Sequence, residues 1–468
     1  MEANTPLLLN DEQMRKFITD GFLILTTDFS EDFHHTLMES LNLVYEEEGN
    51  PGNNLLPRVP ELQRVFEHPV ITGALTSVLG PNYMLHAHRH GHFNAVSTPG
   101  GWHKDSYWGY ERMRNHHPWW AMIMYFPQDT PVELGPTGIM PGTQNYESRV
   151  FDADEMESEA LASGNAGTFA LIHYDIWHRS TPNLLGQPRY MLKFEFMRTI
   201  APKAPSWNNT EAAWRKPQKV NSPFADHEVM WEETWNWLSG KTGSITDIKS
   251  NNEASIKELT MELQDHFEPI ALNAAYELAR RGKHEELFDA IQSEDVKVSR
   301  LAAYGLSVSS KEVISRLMEN LESRRVETVI HTIFALGEQR EKAREAVSAL
   351  TKLLKDPSEK VRRAVVEALG MIQQPTDDVV EGLCHCLKDE DVQVRFMAGL
   401  SLSRLGTSAE KAVPQLEIAL NDENRYVRAH AAEALRYINT EQAKDVLIKF
   451  LFNSRWCPTT TKVNTFYP

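Results

Sequence analysis

Between residues 255 and 455 the apolar positions fall at helical spacing. Val361, Ala364, Val365, Ala368 and Leu369 stand at i, i+3, i+4, i+7 and i+8, which puts them on one stripe of a helix. The stripe itself recurs. Asp356, Asp389 and Asp422 are 33 residues apart, as are Val361, Val394 and Val427, each followed by an arginine (Arg362, Arg395, Arg428). Val347, Val380 and Val413 keep the same step, and so do Leu354, Leu387 and Leu420. Each unit is predicted to be two helices joined by an acidic turn. Less regular copies upstream, PIALNAAYELARRG (269–282) and VSRLAAYGL (298–306), keep the stripe with 28-residue steps. Units of this size cannot bury an apolar face alone, so they stack into a solenoid.

Before residue 240 the period changes. LNDEQMRKFITDGFLIL (9–25) predicts a helix capped by Asn10 or Asp11, with Met14, Phe17 and Ile18 on its apolar side, stopped by Gly21 and followed by a strand at FLIL. Short strand-like runs then alternate with Gly and Pro turns, at 84–93, 120–126, 138–143, 167–178 and 190–197. Such a series predicts a sandwich or a jelly-roll barrel (double-stranded β-helix) with flanking helices. The expected architecture is multidomain: a jelly-roll domain over 1–240, a polar linker over 241–254, an all-α solenoid over 255–455 and a tail over 456–468.

Composition sharpens this division. Ten of the eleven tryptophans lie between Trp102 and Trp237, within the strand-rich half. A net charge of −17 and a pI near 5.5, with no segment concentrating Lys and Arg, argue against a nucleic-acid partner and against an anionic membrane surface. Three cysteines, two of them (Cys384 and Cys386) in the helical repeats, make no disulfide framework and suit a reducing compartment. The N-terminus lacks a basic leader, and no apolar run approaches the roughly 18 residues of a spanning helix. A soluble, cytoplasmic protein is the expectation.

Candidate chemistry is concentrated in His103-Lys104-Asp105 and in WHRSTPNLLGQPRY (177–190), which holds His178 and Arg189. Two histidines and one carboxylate can hold one face of an octahedral Fe(II), leaving the opposite face for a chelating cosubstrate and O2. Arg189 follows His178 by 11 residues, room for a strand, a turn and a returning strand to bring a planar cation beside the metal. There it can clamp the far carboxylate of 2-oxoglutarate. His173-Tyr174-Asp175 has the first spacing too, but no later His followed by Arg completes the set, so Asp175 reads as structural. His86, His88, His90 and His92 would share one strand face; hydrogen bonding or partial exposure is their expected state, in place of a second metal. His116 and His117 read as loop residues and His430 as a packed or rim histidine.

Residues 1 to about 240 resemble the phytanoyl-CoA dioxygenase family of Fe(II)- and 2-oxoglutarate-dependent oxygenases, through the opening helix with DGF, PGGWHKD, LGPTGIMPGT, and IWHRSTPN with Arg189. The resemblance implies that His103, Asp105 and His178 are the catalytic iron ligands, that Arg189 pairs with the distal carboxylate of 2-oxoglutarate, and that the Ser180 hydroxyl supports that carboxylate. Fe(II), 2-oxoglutarate and O2 are implied, with ascorbate as the reductant. Two departures stand out: Pro141-Gly142-Thr143-Gln144 replaces the frequent PGSH, and FNAVSTPGG holds no counterpart of the lysine that helps hold the cosubstrate. Related halogenases have a small residue where this chain has Asp105, so hydroxylation or another oxidation such as desaturation is implied.

The repeats resemble HEAT-like repeats. Deoxyhypusine hydroxylase resembles this architecture and binds two irons through His-Glu pairs on successive repeats, but only one such pair, His284-Glu285, occurs here. The solenoid is therefore expected to bind a protein partner, brace the enzyme or self-associate. Trp102, Tyr107, Trp108, Trp120 and Trp177 surround the ligands in sequence and are candidate substrate-binding residues; Trp119 and Trp120, adjacent on a strand, cannot both face the pocket. The expected activity is oxidation of an aliphatic C–H bond of a small-molecule metabolite, with succinate and CO2 as coproducts. The alternatives are a protein or carrier-bound substrate recruited by the repeats, and a non-catalytic binding protein.

Overall fold

The computed structural model describes residues 5–105, 113–241 and 245–453, and the chain divides into two compact units, Met1–Thr242 and Gly243–Pro468. The first opens with helix α1 (Asp11–Asp20), where the Asn10 side chain accepts from the Gln13 N–H and the Gln13 side chain accepts from the Asn10 N–H. It stops at Gly21, whose φ of 80° turns the chain into strand β1 (Phe22–Thr26). Helices α2 (Glu31–Glu48), α3 (Leu55–Arg58), α4 (Leu62–Glu67) and α5 (Pro69–Leu79) follow. Then come strands β2 (Met84–Asn94), β3 (Trp120–Tyr125), β4 (Thr137–Ile139), β5 (Ala160–Leu161), β6 (Thr168–His173), β7 (His178–Ser180) and β8 (Arg189–Met197). Helix α6 (Glu228–Leu238) completes the unit.

The strands form a five-stranded sheet, in the order β1-β6-β3-β8-β2, and a three-stranded one, β5-β4-β7. Every pairing is antiparallel. Among the described residues, backbone pairing does not join the two sheets into a closed barrel.

Strand β8, RYMLKFEFM, shows how the sequence assigns the two faces of the large sheet. Tyr190, Leu192, Phe194 and Phe196 point one way. The Tyr190 ring lies 5.1 Å from that of Tyr45 on α2, and the Phe194 ring 4.6 Å from that of Phe66 on α4, so helices cover this face. Arg189, Met191, Lys193, Glu195 and Met197 point the other way. The register extends that second face across β2 and β3: His90 stands opposite Lys193, His92 opposite Met191 and Asn94 opposite Arg189, while Met122 stands opposite Glu195 and Met124 opposite Lys193. All of β8 is buried. Three charged side chains have thus been withdrawn from water on one face, which costs several kcal/mol each unless partners or ligands meet them.

Two expected strands are shorter than their patterns suggest. Of 138–143 only the beginning pairs, in β4; Pro141 has no N–H to offer and Gly142 turns the chain with φ 76°. The run 167–178 breaks, with β6 and β7 lying in different sheets. In the turn between them Ile176 N–H donates to the His173 carbonyl at 3.2 Å, and Asp175 accepts from the Arg114 guanidinium at 2.5 Å. Helix α6 has no counterpart in the sequence-based expectations; its Trp231, Trp235 and Trp237 are core residues.

The second unit is helical throughout its described length. An irregular leading part comprises α7 (Ile256–Glu262), α8 (Glu268–Arg280), α9 (His284–Ile291), α10 (Val296–Ser307), α11 (Ile314–Asn320) and α12 (Val326–Gln339). Pairs at the 33-residue step follow: α13 (Val347–Leu353) with α14 (Glu359–Ile372), α15 (Asp377–Cys386) with α16 (Val392–Leu405), and α17 (Val413–Ala419) with α18 (Arg425–Ile438), before α19 (Glu441–Phe452). The recurring Val is buried at each copy, and the recurring Arg and Asp form a ladder between units. Arg362 forks onto Asp389 of the next turn at 2.8 and 2.9 Å and donates to the Asp356 carbonyl at 2.9 Å. Arg395 repeats this with Asp422 at 2.9 and 3.3 Å and with the Asp389 carbonyl at 2.9 Å. His430 is fully buried, its Nδ1 donating to the Phe396 carbonyl at 3.0 Å. Among the described residues no helix is long and apolar enough to cross a membrane.

Candidate metal centre

The residues before His103 are held by β7. Gly100 N–H reaches both the carbonyl (2.9 Å) and the hydroxyl (3.2 Å) of Ser180. His103 and His178 exchange both of their backbone hydrogen bonds at 3.0 Å. The first glycine of PGGW permits this approach, since a Cβ on Gly100 would lie 2.6 Å from the Ser180 Oγ. Pairing sets the two imidazoles side by side, with ring centroids 4.5 Å apart. Asp105, two residues on, brings its Oδ2 to 3.3 Å from His178 Nε2. His103, Asp105 and His178 each offer one ligand atom, all within 4.8 Å of one another, and no other such group of three occurs among the described residues.

The chemistry of this donor set suits a divalent first-row metal. His103 Nδ1 faces the Gly101 carbonyl at 2.9 Å and His178 Nδ1 the Ile176 carbonyl at 3.1 Å. A carbonyl only accepts, so each Nδ1 carries the proton and each Nε2 keeps its lone pair. Burial, and after it the neighbouring His178, lowers the pKa of His103, which favours the neutral ligand form. Burial by itself would raise the pKa of Asp105, but the Lys193 ammonium and His178 outweigh it and hold the carboxyl well below its ordinary range.

Two cations of β8 face this cluster. Lys193 Nζ donates to Asp105 Oδ1 at 2.7 Å, across from the small sheet that carries His178. Arg189, on the same face, is 2% exposed. Its Nε finds no hydrogen-bond partner, its guanidinium lies 6.0 Å over the Phe126 ring, and among the described residues no carboxylate pairs with it. Burial pushes its pKa down to about 10. A buried guanidinium without a counter-ion calls for an anion with the planar geometry of a carboxylate. The triad and this orphaned donor together fit Fe(II) and 2-oxoglutarate. Ser180 places its hydroxyl against the Gly100 N–H.

The histidine-rich strand behaves in two ways. A register shift between Leu85 and Arg89 interrupts the pairing. Within it, His86 is wholly buried and meets Glu195 at 3.1 Å, with burial pushing its pKa down to about 3. From its far end onward His88, His90 and His92 follow one another, with ring centroids 5.9 and 4.8 Å apart, and only His90 and His92 have regular partners on β8. His92 Nε2 is buried and has no hydrogen-bond partner. His117 lies in a loop, where it is buried and bound to Glu233 at 2.7 Å.

The aromatic candidates separate. Trp120 lies on the charged face of the large sheet, its ring 5.3 Å from His86. Trp102 and Trp177 flank the ligands in sequence, and strand alternation therefore turns them to the opposite face. There the Arg179 guanidinium lies 4.5 Å over Trp102, and the rings of Trp102 and Trp177 pack on Phe151 at 5.0 and 6.2 Å. Both rings thus pack on the Phe151 side of the ligand segments. Tyr107 and Trp108 lie outside the described residues. Lys193, Glu195 and His92 were missed by sequence reasoning; the signal that could have found them is the charge at every second position of RYMLKFEFM, matched by the alternate histidines of β2.

Residues 33–191 match the family model described as phytanoyl-CoA dioxygenase. Residues 314–403 and 373–436 match HEAT repeats, and 427–453 the PBS lyase HEAT-like repeat. No curated protein matches the chain. Among solved structures, the non-heme alpha-ketoglutarate-dependent carbocyclase SnoK from nogalamycin biosynthesis is 17% identical over 47% of this chain and 96% of its own, with a TM-score of 0.34. AviO1 from Streptomyces viridochromogenes Tue57 is 16% identical over 43% of this chain and 100% of its own, TM-score 0.32. A designed armadillo repeat protein in complex with a peptide is 19% identical over 40% of this chain and 100% of its own, TM-score 0.30.

Proposed function

We propose, starting from a chain that carries a phytanoyl-CoA dioxygenase-family domain followed by HEAT repeats, that its first unit oxidises an aliphatic C–H bond of a small metabolite, with succinate and CO2 as coproducts. At the level of that family the protein is an Fe(II)/2-oxoglutarate-dependent oxygenase. The observation that carries the finer reading is the buried, unpartnered Arg189 on the sheet face that also presents Lys193 to the His103, Asp105 and His178 cluster. The two sheets are the halves of a double-stranded β-helix in this reading, with the metal centre between them.

Iron bound there supplies the activation of O2 and the oxidising equivalents for C–H cleavage. The chain's own residues do the rest. His103 and His178 present Nε2 because their Nδ1 protons are committed to backbone carbonyls. Asp105, an anionic ligand already charged well below neutral pH, completes the set and leaves no place for a halide. Arg189 would hold the distal carboxylate of 2-oxoglutarate, with the Ser180 hydroxyl in support, and so orient the cosubstrate. Trp120, buried beside His86, is the aromatic residue proposed to contact substrate and keep water out. The HEAT-repeat unit serves protein interaction or self-association. Its free Cys384 and Cys386 suit the reducing cytoplasm.

The test is succinate formation from 2-oxoglutarate by the purified chain with Fe(II), ascorbate and O2. Turnover is expected even without substrate, at a slow uncoupled rate, and the His103→Ala variant is expected to lose it. A chain that binds no iron under anaerobic reconstitution and forms no succinate would refute the oxygenase reading of the site.

A further inference from the structure

The two oxygens of Asp105 have different partners. Oδ2 faces the ligand nitrogen of His178 at 3.3 Å, while Oδ1 is held by Lys193 Nζ at 2.7 Å. Nothing in an aspartate itself separates them, because χ2 of a carboxylate is a broad, two-fold torsion and either oxygen can swing toward a metal. The separation comes from Lys193, whose side chain is 6% exposed and whose only ion pair among the described residues is Asp105. Lys193 belongs to neither ligand segment. It stands in the middle of β8, hydrogen-bonded on one side to β3 (opposite Met124) and on the other to β2 (opposite His90), so the ammonium is carried by one of the best-anchored strands of the unit.

We propose that Lys193 is the positioning residue of the metal centre: by holding Oδ1 it makes Asp105 a ligand through Oδ2 alone. The proposal rests on the metal-centre reading given above. A carboxylate that engages both oxygens takes a coordination position that a two-histidine, one-carboxylate site needs open for the cosubstrate and O2. Keeping the second oxygen occupied therefore protects the open face. A hydrogen bond to a ligating carboxylate also orients it before the ion arrives, and loss of such support lowers metal affinity by roughly 10- to 100-fold. Arg189 lies four residues earlier on the same face of the same strand. One strand thus carries both the group that receives the cosubstrate's far carboxylate and the group that aims the carboxylate ligand.

A merely structural lysine, present to neutralise a buried carboxylate, would change stability and leave the ion's environment alone. The experiment reads both in the full-length chain, by anaerobic titration with Fe(II) and by the visible spectrum of the Co(II) form, alongside thermal unfolding. Lys193→Met is expected to bind Fe(II) roughly 10- to 100-fold more weakly, with altered Co(II) bands. Lys193→Arg, which restores a charged donor, is expected to recover most of the affinity and the wild-type spectrum. Lys193→Gln, a neutral donor that guards against misfolding of the apolar variant, is expected to fall between them. Arg15→Met removes a buried guanidinium from its ion pair with the half-exposed Glu211 and should lower the unfolding temperature without moving affinity or spectrum. Wild-type affinity and spectrum in both Lys193→Met and Lys193→Gln would overturn the proposal while leaving the metal centre standing. A wild-type chain that takes up neither ion would overturn both.

Discussion

An arginine buried without a counter-ion destabilises the fold that contains it, so its retention is explained by what it binds. Arg189→Met keeps the length of the side chain and removes the charge. It is expected to raise the apparent KM for 2-oxoglutarate by about 100-fold, the loss of two charge-assisted hydrogen bonds, while leaving Fe(II) affinity unchanged. It is also expected to hold or raise the unfolding temperature, because an unpaired buried cation is replaced by apolar packing. Succinate kinetics over a range of cosubstrate concentrations, together with a thermal melt, check both halves. The pattern formed by His103, Asp105, His178 and Arg189 was legible in the sequence because each sits in a short run of fixed spacing, and the structure brings the candidate ligand atoms of the first three within 4.8 Å of one another. Lys193 and His92 were not, because they reach the site through the pairing of β8 with β2, a register that no local motif records. Trp102 and Trp177 show the converse: a residue next to a ligand on an extended chain is turned to the other side, and these two rings pack on Phe151.

Among the elements, the helical repeats were the most legible. Every copy meets the same surroundings above and below, so selection writes the same residues at the same step, and 33 residues separate Asp389 from its neighbours on either side. The structure adds the partner of each recurring residue. Arg362 reaches forward to Asp389 while staying tied to its own turn at the Asp356 carbonyl. Arg362→Ala, which strips a buried fork from one junction, is expected to destabilise the second unit by about 1–3 kcal/mol. Lys411→Ala, which removes an exposed pair with Asp377, should change stability by less than about 1 kcal/mol. Denaturant melts followed at the helical circular dichroism band distinguish the two. The strands were harder to read. A three-residue strand such as β4 or β7 has too few positions for alternation to show, and the break between β6 and β7 depends on Arg114, some sixty residues away in the chain, reaching Asp175.

For the whole molecule, the division into Met1–Thr242 and Gly243–Pro468 makes the contribution of the repeats separable from the chemistry. A chain ending at residue 242 is expected to bind Fe(II) and form succinate at the uncoupled rate of the full-length protein. Loss of substrate-stimulated turnover in that fragment, with the uncoupled rate intact, would assign the repeats to substrate recruitment. The bridge between His103 and His178 has one more consequence. It closes a loop of more than seventy residues with two backbone hydrogen bonds, and an ion gripped by His103, Asp105 and His178, which only the folded chain brings together, would hold the same loop closed. At a metal concentration 100 times its dissociation constant, such linkage is worth about 2.7 kcal/mol. That increment would fall entirely on the unit that holds the loop, so loading with Fe(II) should raise the melting transition of that unit alone, and a chelator should reverse the shift.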